Sequence, residues 1–380
     1  MQHSASPLAG LASALPAVSS LAADQFLELL GRLPATLDLD QLARDTGAIR
    51  RVREVKSGCA LLRIALARGP GGLSLKETAA WSSQLGLGEL SGPGMKKLLD
   101  RSVSFLNAVM HSQLVGQSPG KPVRWDGRCL RCGDGTSISK PGSKGTDWRV
   151  HAVYDLGRGG FSHLEVTDQR GGEAINRGAP VAGEIRICDR NYATAPSLHR
   201  FLQDSAGQAD FIVRVGWRSF SLSRPDRTAF DLITHLSTLP DDRLPHEVMV
   251  QASRGPLAPP LPLRLVILRK TPQATEQARK KLLQEASRKQ KTLDPRSLVA
   301  AEFIVLATSL PADAYPAEEV LAAYRLRWQI ELAFKRLKSL LHIDALPTHT
   351  EAASRCWLLA HLILALLCDD LSQEFLESSP

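Results

Sequence analysis

Between Tyr324 and Lys338, within YRLRWQIELAFKRLKSLL, five residues able to do chemistry recur every three or four places: Tyr324, Arg327, Glu331, Lys335 and Lys338. At 3.6 residues per turn, one helix gathers them into an arc of about 80°. Leu326, Ile330, Ala333, Leu337 and Leu340 form an apolar stripe on the opposite side. Pro316 suits a first-turn position, and Glu318 and Glu319 complement the positive end of the helix dipole. A solvated charged face is the ordinary reason for such a polar stripe. Its content here points elsewhere. One carboxylate flanked by an aromatic, an arginine and two lysines suits a metal-binding acid laid along a phosphate backbone, with the cations gripping phosphates.

A single carboxylate holds a divalent ion poorly, so partners must come from other elements. Short strands read from RCLRCGDGTSIS and EIRICDRNY end in Asp134 and Asp189. A buried strand-end carboxylate is costly unless a cation compensates it. Asp126, Asp147, Asp155 and Asp168 also stand in turn contexts, so residue types alone leave the choice of the first aspartate open. Three acids of this kind offer the hard oxygen ligands that suit Mg²⁺ or Mn²⁺. Two such ions, about 3.5–4 Å apart, can activate an attacking oxygen and stabilise a leaving one in an in-line displacement at phosphorus.

The elements that must position these acids change character along the chain. Residues 1–20 are rich in Ala, Ser and Pro and are expected to be disordered. Residues 21–116 read as helices, broken at RGPGG and SGPG. LSLKETAAWSSQLGL carries a capping box, Ser74 with Glu77. With the helix after SGPG it forms a possible helix-turn-helix, Lys96, Lys97 and Arg101 facing DNA; a plain helical bundle is the alternative. QSPGKP, 117–122, is a linker by composition. Short strands follow, with DWRVHAVYDL and GGFSHLEVTD paired as a hairpin through LGRGG, then a helix and the strand DFIVRV. Residues 216–300 hold Pro-rich strands and a basic helix, EQARKKLLQEASRKQK. EFIVLATSL is a strand leading into the Glu331 helix, and a last buried helix runs from Ala353 to about Phe375.

Bulk properties bound the possibilities. The chain has 380 residues, 43% hydrophobic and 23% charged, room for two or three domains in an ordinary soluble protein. A net charge of +8 favours a polyanionic partner. No basic residue other than His3 precedes Arg32, so a signal peptide is not expected, and WLLAHLILALLC is too short to span a bilayer. The six cysteines are scattered; Cys129 and Cys132 lack a second ligand pair nearby, which favours reduced thiols over zinc.

Tyr324, Arg327, Glu331 and Lys338 resemble the Tyr-Arg-Glu-Lys signature of DDE transposases of the insertion-sequence-four type. DGTSISKPGSKGTDWRVHAVYDL resembles that family's first-aspartate region. EIRICDRNYATAPSL resembles its second, with Asn191 where glycine is more usual. EVTDQRGGEAI and EFIVLATSLPADAYPAEEVLAAYRLRWQIE fit as well, Ser309 standing where asparagine is frequent. The resemblance spans roughly residues 120 to 370. It implies an α/β (α+β) fold: a ribonuclease H-like catalytic core, 117–215 and 301–376, interrupted by a β-rich insertion, 216–300; the helical region 21–116, which none of these motifs covers, is expected to bind DNA. It implies Asp134, Asp189 and Glu331 as catalytic, metal-binding acids and Tyr324, Arg327 and Lys338 as contacts to the transposon end; Lys335 shares their face. The chain stops soon after the Glu331 helix and its successor, so a long C-terminal dimerisation domain is expected to be absent.

The reading is thus a cytoplasmic, nucleoid-associated bacterial transposase, working with two Mg²⁺ or Mn²⁺ ions. It would bind terminal inverted repeats and target DNA as a homodimer, away from membranes, and cut and paste its element. The rivals are a non-catalytic copy acting as a DNA-binding repressor and a metal-dependent nuclease of the same fold.

Overall fold

A computed structural model describes residues 26–50, 55–115, 127–255 and 258–378, with side chains to 369. The expected disordered stretch 1–20, the linker 117–122 and Asp126 lie outside the described residues. The chain forms two compact units: the described parts of Met1–Gln117 and Leu341–Pro380, and those of Ser118–Ser139 and Ser143–Leu340.

The first unit is helical. Its elements are α1 (Leu39–Asp45), α2 (Gly58–Arg68), α3 (Leu75–Gln84), α4 (Gly92–Arg101) and α5 (Val103–Val115). Each of the first four starts where a short polar side chain caps free backbone N–H groups: Asp38, Ser57, Ser74 and Ser91. The capping box read from Ser74 and Glu77 is formed in both directions. A 28-residue helix, Glu351–Ser378, closes this unit by packing against α2, α4 and α5. Leu358, Leu362, Ile363 and Leu366 of that helix are buried, as are Leu61, Ile64, Leu98, Phe105, Leu106 and Val109 of its neighbours. Its Glu351–Asp369 stretch is long and apolar enough to cross a membrane, yet 67% of the apolar window is buried inside the protein. The last helix therefore joins the N-terminal helices, not the sheet unit that 301–376 leads one to expect. Of the three basic residues expected to face DNA, only Lys97 is exposed. Lys96 pairs with Asp100, and Arg101 donates from Nε to the Ala48 carbonyl at 2.7 Å.

The second unit is built on one ten-stranded sheet. Its strands are β1 (Cys129–Ile138), β2 (Trp148–Asp155), β3 (Gly160–Asp168), β4 (Glu184–Cys188), β5 (Asp210–Arg214), β6 (Leu222–Ser223), β7 (Ala229–Phe230), β8 (His246–Ala252), β9 (Leu261–Arg269) and β10 (Phe303–Thr308). The spatial order is β3-β2-β1-β4-β5-β10-β9-β8-β6-β7. β1, β2 and β3 are antiparallel neighbours, whereas β4 runs parallel to β1 and β5 parallel to β4. That 3-2-1-4-5 order is the ribonuclease H-like arrangement. The 216–300 segment is not a separate sheet: β6 to β9 extend the same one beyond β10.

Phe211 and Val213 of β5, Leu263, Leu265 and Ile267 of β9, and Phe303, Val305 and Ala307 of β10 alternate onto one face. Leu198 and Phe201 of α6 (Ala195–Asp204) and Leu236 of α7 (Leu232–Thr238) share their cluster. The basic helix is α8 (Pro272–Arg288), followed by α9 (Pro295–Ala300); α8 buries no residue.

Two expectations change. β1 does not end at Asp134 but runs on to Ile138, because β2 keeps pairing with it after β4 has stopped. The stretch Tyr324–Lys338 is not one helix. It divides into α10 (Ala317–Arg325) and α11 (Trp328–Leu341), and the last helix becomes α12 (Glu351–Ser378). At the break the backbone tightens to i→i−3 bonds, Leu326 to Ala323 at 3.0 Å, Arg327 to Tyr324 at 3.1 Å and Ile330 to Arg327 at 3.3 Å. Leu340, expected on the apolar stripe, is 73% exposed.

Candidate active site

The site begins with a strand register. Parallel pairing of β1 with β4 ends at Gly133 opposite Cys188, so Asp134 and Asp189 follow side by side. A Cβ on Gly133 would come within 2.8 Å of the buried Cys188 Sγ, so glycine permits this close approach. Asp134 accepts from the Gly135 N–H at 2.8 Å. Asp189 caps the 3₁₀ turn Arg190–Tyr192 by accepting from the Arg190 N–H.

The α10–α11 break delivers the third group of residues. The Leu326 carbonyl lies 3.9 Å from Cys132 Sγ of β1, and Phe334 of α11 packs on Phe161 of β3 with ring centroids 6.4 Å apart. Arg327 then reaches two acids at once. Its Nη1 is 3.6 Å from Asp134 Oδ2, while Nη2 hydrogen-bonds Glu331 Oε1. The guanidinium carbon also sits 5.9 Å from the centre of the Tyr324 ring.

Electrostatics follow from this crowding. Burial pushes the Asp134 carboxyl up to about 6; the Gly135 N–H and Arg327 oppose the rise, and Asp189 and Glu173 add to it. Burial likewise pushes Tyr324 up to about 12, against the pull of Arg327 and Arg214. Burial pulls Arg327 down, but Tyr324, Glu331 and Asp134 outweigh it and hold the guanidinium above its ordinary range.

The structure thus brings Asp134, Asp189, Tyr324, Arg327 and Glu331 together, with Glu331 tied in through Arg327. Lys335 is exposed and Lys338 partly so; neither makes an ion pair or side-chain hydrogen bond among the described residues. No three His, Cys, Asp or Glu side chains among the described residues converge into a ready-made metal cage. Two adjacent carboxylates, one of them raised by burial and by acidic neighbours, nonetheless form the donor set a hard divalent cation fits. The guanidinium of Arg327 currently neutralises one of them and the distant Glu331.

Two features escaped the sequence reading. Glu173 and Tyr192 stand beside Gly135, the residue after Asp134, the first marked only by the Gly-Gly-Glu of EVTDQRGGEAI. A cavity of about 390 Å³ opens against Asp189, lined by Arg190, Arg214, Lys270 and Lys281. Burial, with Arg214 nearby, lowers the Lys270 ammonium to about 8.

A ribonuclease H-like sheet with one aspartate inside β1 and another directly after the adjacent β4, and a late helix bearing a glutamate, defines a DDE-type enzyme that cleaves and transfers DNA strands. The family described as Transposase DDE domain matches residues 125–367, and this chain belongs to it. It is 37% identical over 359 residues to the InsL transposase of insertion sequence element IS186A from Escherichia coli strain K12, covering 94% of this chain and 96% of that protein. The transposase of element IS421 from Escherichia coli is also 37% identical, over 360 residues, with the same shares covered. A solved piggyBac transposase synaptic complex with hairpin DNA aligns over 95% of this chain and 67% of that one. Its TM-score of 0.45 and 9% identity are too loose to bear on the site. The chain is an insertion-sequence transposase.

Proposed function

We propose that Asp134, Asp189 and Glu331 are the catalytic acids, holding two Mg²⁺ or Mn²⁺ ions, and that the chain acts as a homodimer on the terminal inverted repeats of its element. The observation that carries this reading is the Gly133–Cys188 register, which sets two aspartates side by side at the end of the β1–β4 parallel pairing. Ions bound there would sharpen the attacking oxygen and stabilise the leaving one. The protein's part is geometric: Asp134 and Asp189 would hold the ions that meet the reacting phosphate, while Arg327, Lys335 and Lys338 grip neighbouring phosphates and Tyr324 offers a ring for stacking. In the first step water attacks phosphorus, the P–O3′ bond breaks, and the element's 3′-hydroxyl is freed with a proton. In the second, that hydroxyl attacks a target phosphodiester and displaces its 3′ oxygen.

Glu331 would be available to hold an ion once Arg327 lets go of it, and a phosphate is the natural competitor for that guanidinium. The helical unit and α8 contribute further contacts to the DNA backbone, in the cytoplasm of a bacterium and on its nucleoid. The test is cleavage and strand transfer on DNA bearing the element's ends. Asp134→Ala, Asp189→Ala and Glu331→Ala should each abolish both steps while sparing end binding, and the triple variant should be little worse than any single one. Near-normal Mg²⁺-dependent cutting by a single variant removes that residue from the set. Cleavage without transfer makes the protein a nuclease, and binding without cleavage a repressor.

A further inference from the structure

The register that sets Asp134 beside Asp189 is not secured by apolar pattern. β4 is buried on both faces, with Ile185 and Ile187 on one and Glu184, Arg186 and Cys188 on the other. Sliding β4 along β1 by two residues would keep both isoleucines on their own face and merely exchange one for the other. The same slide would shift the two aspartates past each other by about 6–7 Å. That is too far for them to share ions about 3.5–4 Å apart.

Three residues before each aspartate, the register sets Arg131 of β1 opposite Arg186 of β4. Like charges in facing positions repel, so this pairing stands only because acids are built around it. Glu184 reaches both arginines: its Oε1 accepts from Arg186 Nε, and its Oε2 lies 3.7 Å from Arg131 Nη1. Asp155 of β2, registered opposite Arg131, accepts from Arg131 Nε at 3.1 Å. All four side chains are buried, two of each sign. Arg186 also donates from Nη1 to the carbonyls of Ile175, Arg177 and Gly178, each at 2.9 Å. That loop is itself tied to the neighbouring strands. Arg149 of β2 donates to the Gly171 carbonyl at 2.8 Å, and Arg177 to Glu165 Oε2 of β3 at 2.7 Å. β4 is thus fastened to β1 through Glu184 and to β2 and β3 through Arg186.

We propose that Arg131, Asp155, Glu184 and Arg186 form a register lock, positioning residues that act on the reaction through the alignment of Asp134 with Asp189. The consequence for metal rests on the reading of those aspartates as ligands; the consequence for register does not. Buried ion pairs add little stability over well-packed apolar side chains, so stability alone is a poor reason for four charges inside a sheet. What they supply is a preference for one alignment. A slide in one direction carries Glu184 away from Arg131, and a slide in either direction pulls Arg186 off its carbonyls.

The test compares Glu184→Gln with the double variant Arg131→Met/Glu184→Gln in the full-length protein. Glu184→Gln leaves two facing guanidiniums with one acid. Its thermal melt should fall, and so should Mn²⁺ binding, read from the electron paramagnetic resonance signal of free Mn²⁺. The double variant restores the balance of charge, so its melt should recover, but its lock is still open. Its Mn²⁺ binding should stay weakened about tenfold, the Mn²⁺ needed for half-maximal cleavage should rise equally, and its crystal structure should show β1 and β4 out of the wild-type register. A cluster that serves stability alone would give back metal binding together with the melt. That result, or the wild-type register in the double variant, overturns the inference. Asp134→Asn is the reference for the metal and should abolish Mn²⁺ binding. A double variant that is out of register yet binds Mn²⁺ like the wild type refutes the metal-ligand reading and leaves the lock standing. Should the double variant fail to fold, Arg131→Lys decides by the same readouts, because one ammonium keeps the charge but cannot span Asp155 and Glu184 together.

Discussion

Arg327 makes the acidic centre a competition between cations. Its guanidinium bridges Asp134 and Glu331, so removing either partner has opposite consequences for DNA and for chemistry. Glu331→Gln should free the arginine for phosphate, so end binding in EDTA stays equal or tightens severalfold in gel-shift titrations. Cleavage in Mg²⁺ should nevertheless collapse, because an amide is a poor ligand for that ion. Arg327→Ala should weaken the same metal-free binding, and matched losses in the two variants would make Glu331 a mere partner of the arginine. The raised carboxyl of Asp134 gives a second outcome. A carboxylate whose folded pKa is pushed up to about 6 favours folding below its unfolded value near 3.8, and that contribution is lost as pH rises through 6. Without metal, Asp134→Asn should therefore melt higher than wild type at pH 8, by roughly 1–3 kcal/mol, and show little gain at pH 4. Five of the residues marked by spacing and resemblance do meet in space. Glu173 was not legible as a neighbour of Gly135, because the loop that carries it is held by Arg149 of β2 and by Arg186, a buried arginine of β4.

At the scale of elements, the error over β1 is instructive. Alternation and turn residues report where one strand stops, but Asp134 sits where pairing stops on one side only. No single-strand pattern distinguishes the two edges. The break between α10 and α11 was invisible for a related reason: no Gly or Pro marks it, and the apolar period runs through it unbroken. The close approach at Gly133 yields a prediction at this scale. Gly133→Ala must push Cys188 aside within a packed sheet, so it should cost about 1–3 kcal/mol in a denaturant melt and lower cleavage more than end binding. The basic helix yields another. Lys280, Lys281 and Arg288 are exposed on α8, while Lys289 is paired with Glu285 at 2.5 Å. Neutralising the first three should flatten the salt dependence of end binding, by up to roughly 0.9 in log–log slope for each phosphate they neutralise in the wild type. An unchanged slope would make α8 a solvated helix and no more.

For the molecule as a whole, composition and motif order were enough to separate a helical N-terminal region from a sheet-based catalytic one. They did not show which unit receives the last helix. Apolar content told that α12 is buried, but content carries no address, and the resemblance drew it toward the catalytic core. Its true neighbours are α2, α4 and α5. Leu362→Ala or Leu366→Ala should accordingly destabilise the N-terminal helical unit by about 2–5 kcal/mol. Limited proteolysis would read this as new cuts within 58–115, with the sheet unit spared. Cuts confined to the sheet unit would contradict the packing.

The placement of α12 also sets a schedule for synthesis. On the ribosome, α2 to α5 emerge more than two hundred residues ahead of the helix that covers them. At about 5–20 residues per second, they wait for roughly 10–50 s with an apolar face turned to the cytosol. During that interval the nascent chain is a natural client for chaperones, and the helical unit reaches its finished form only once α12 has emerged.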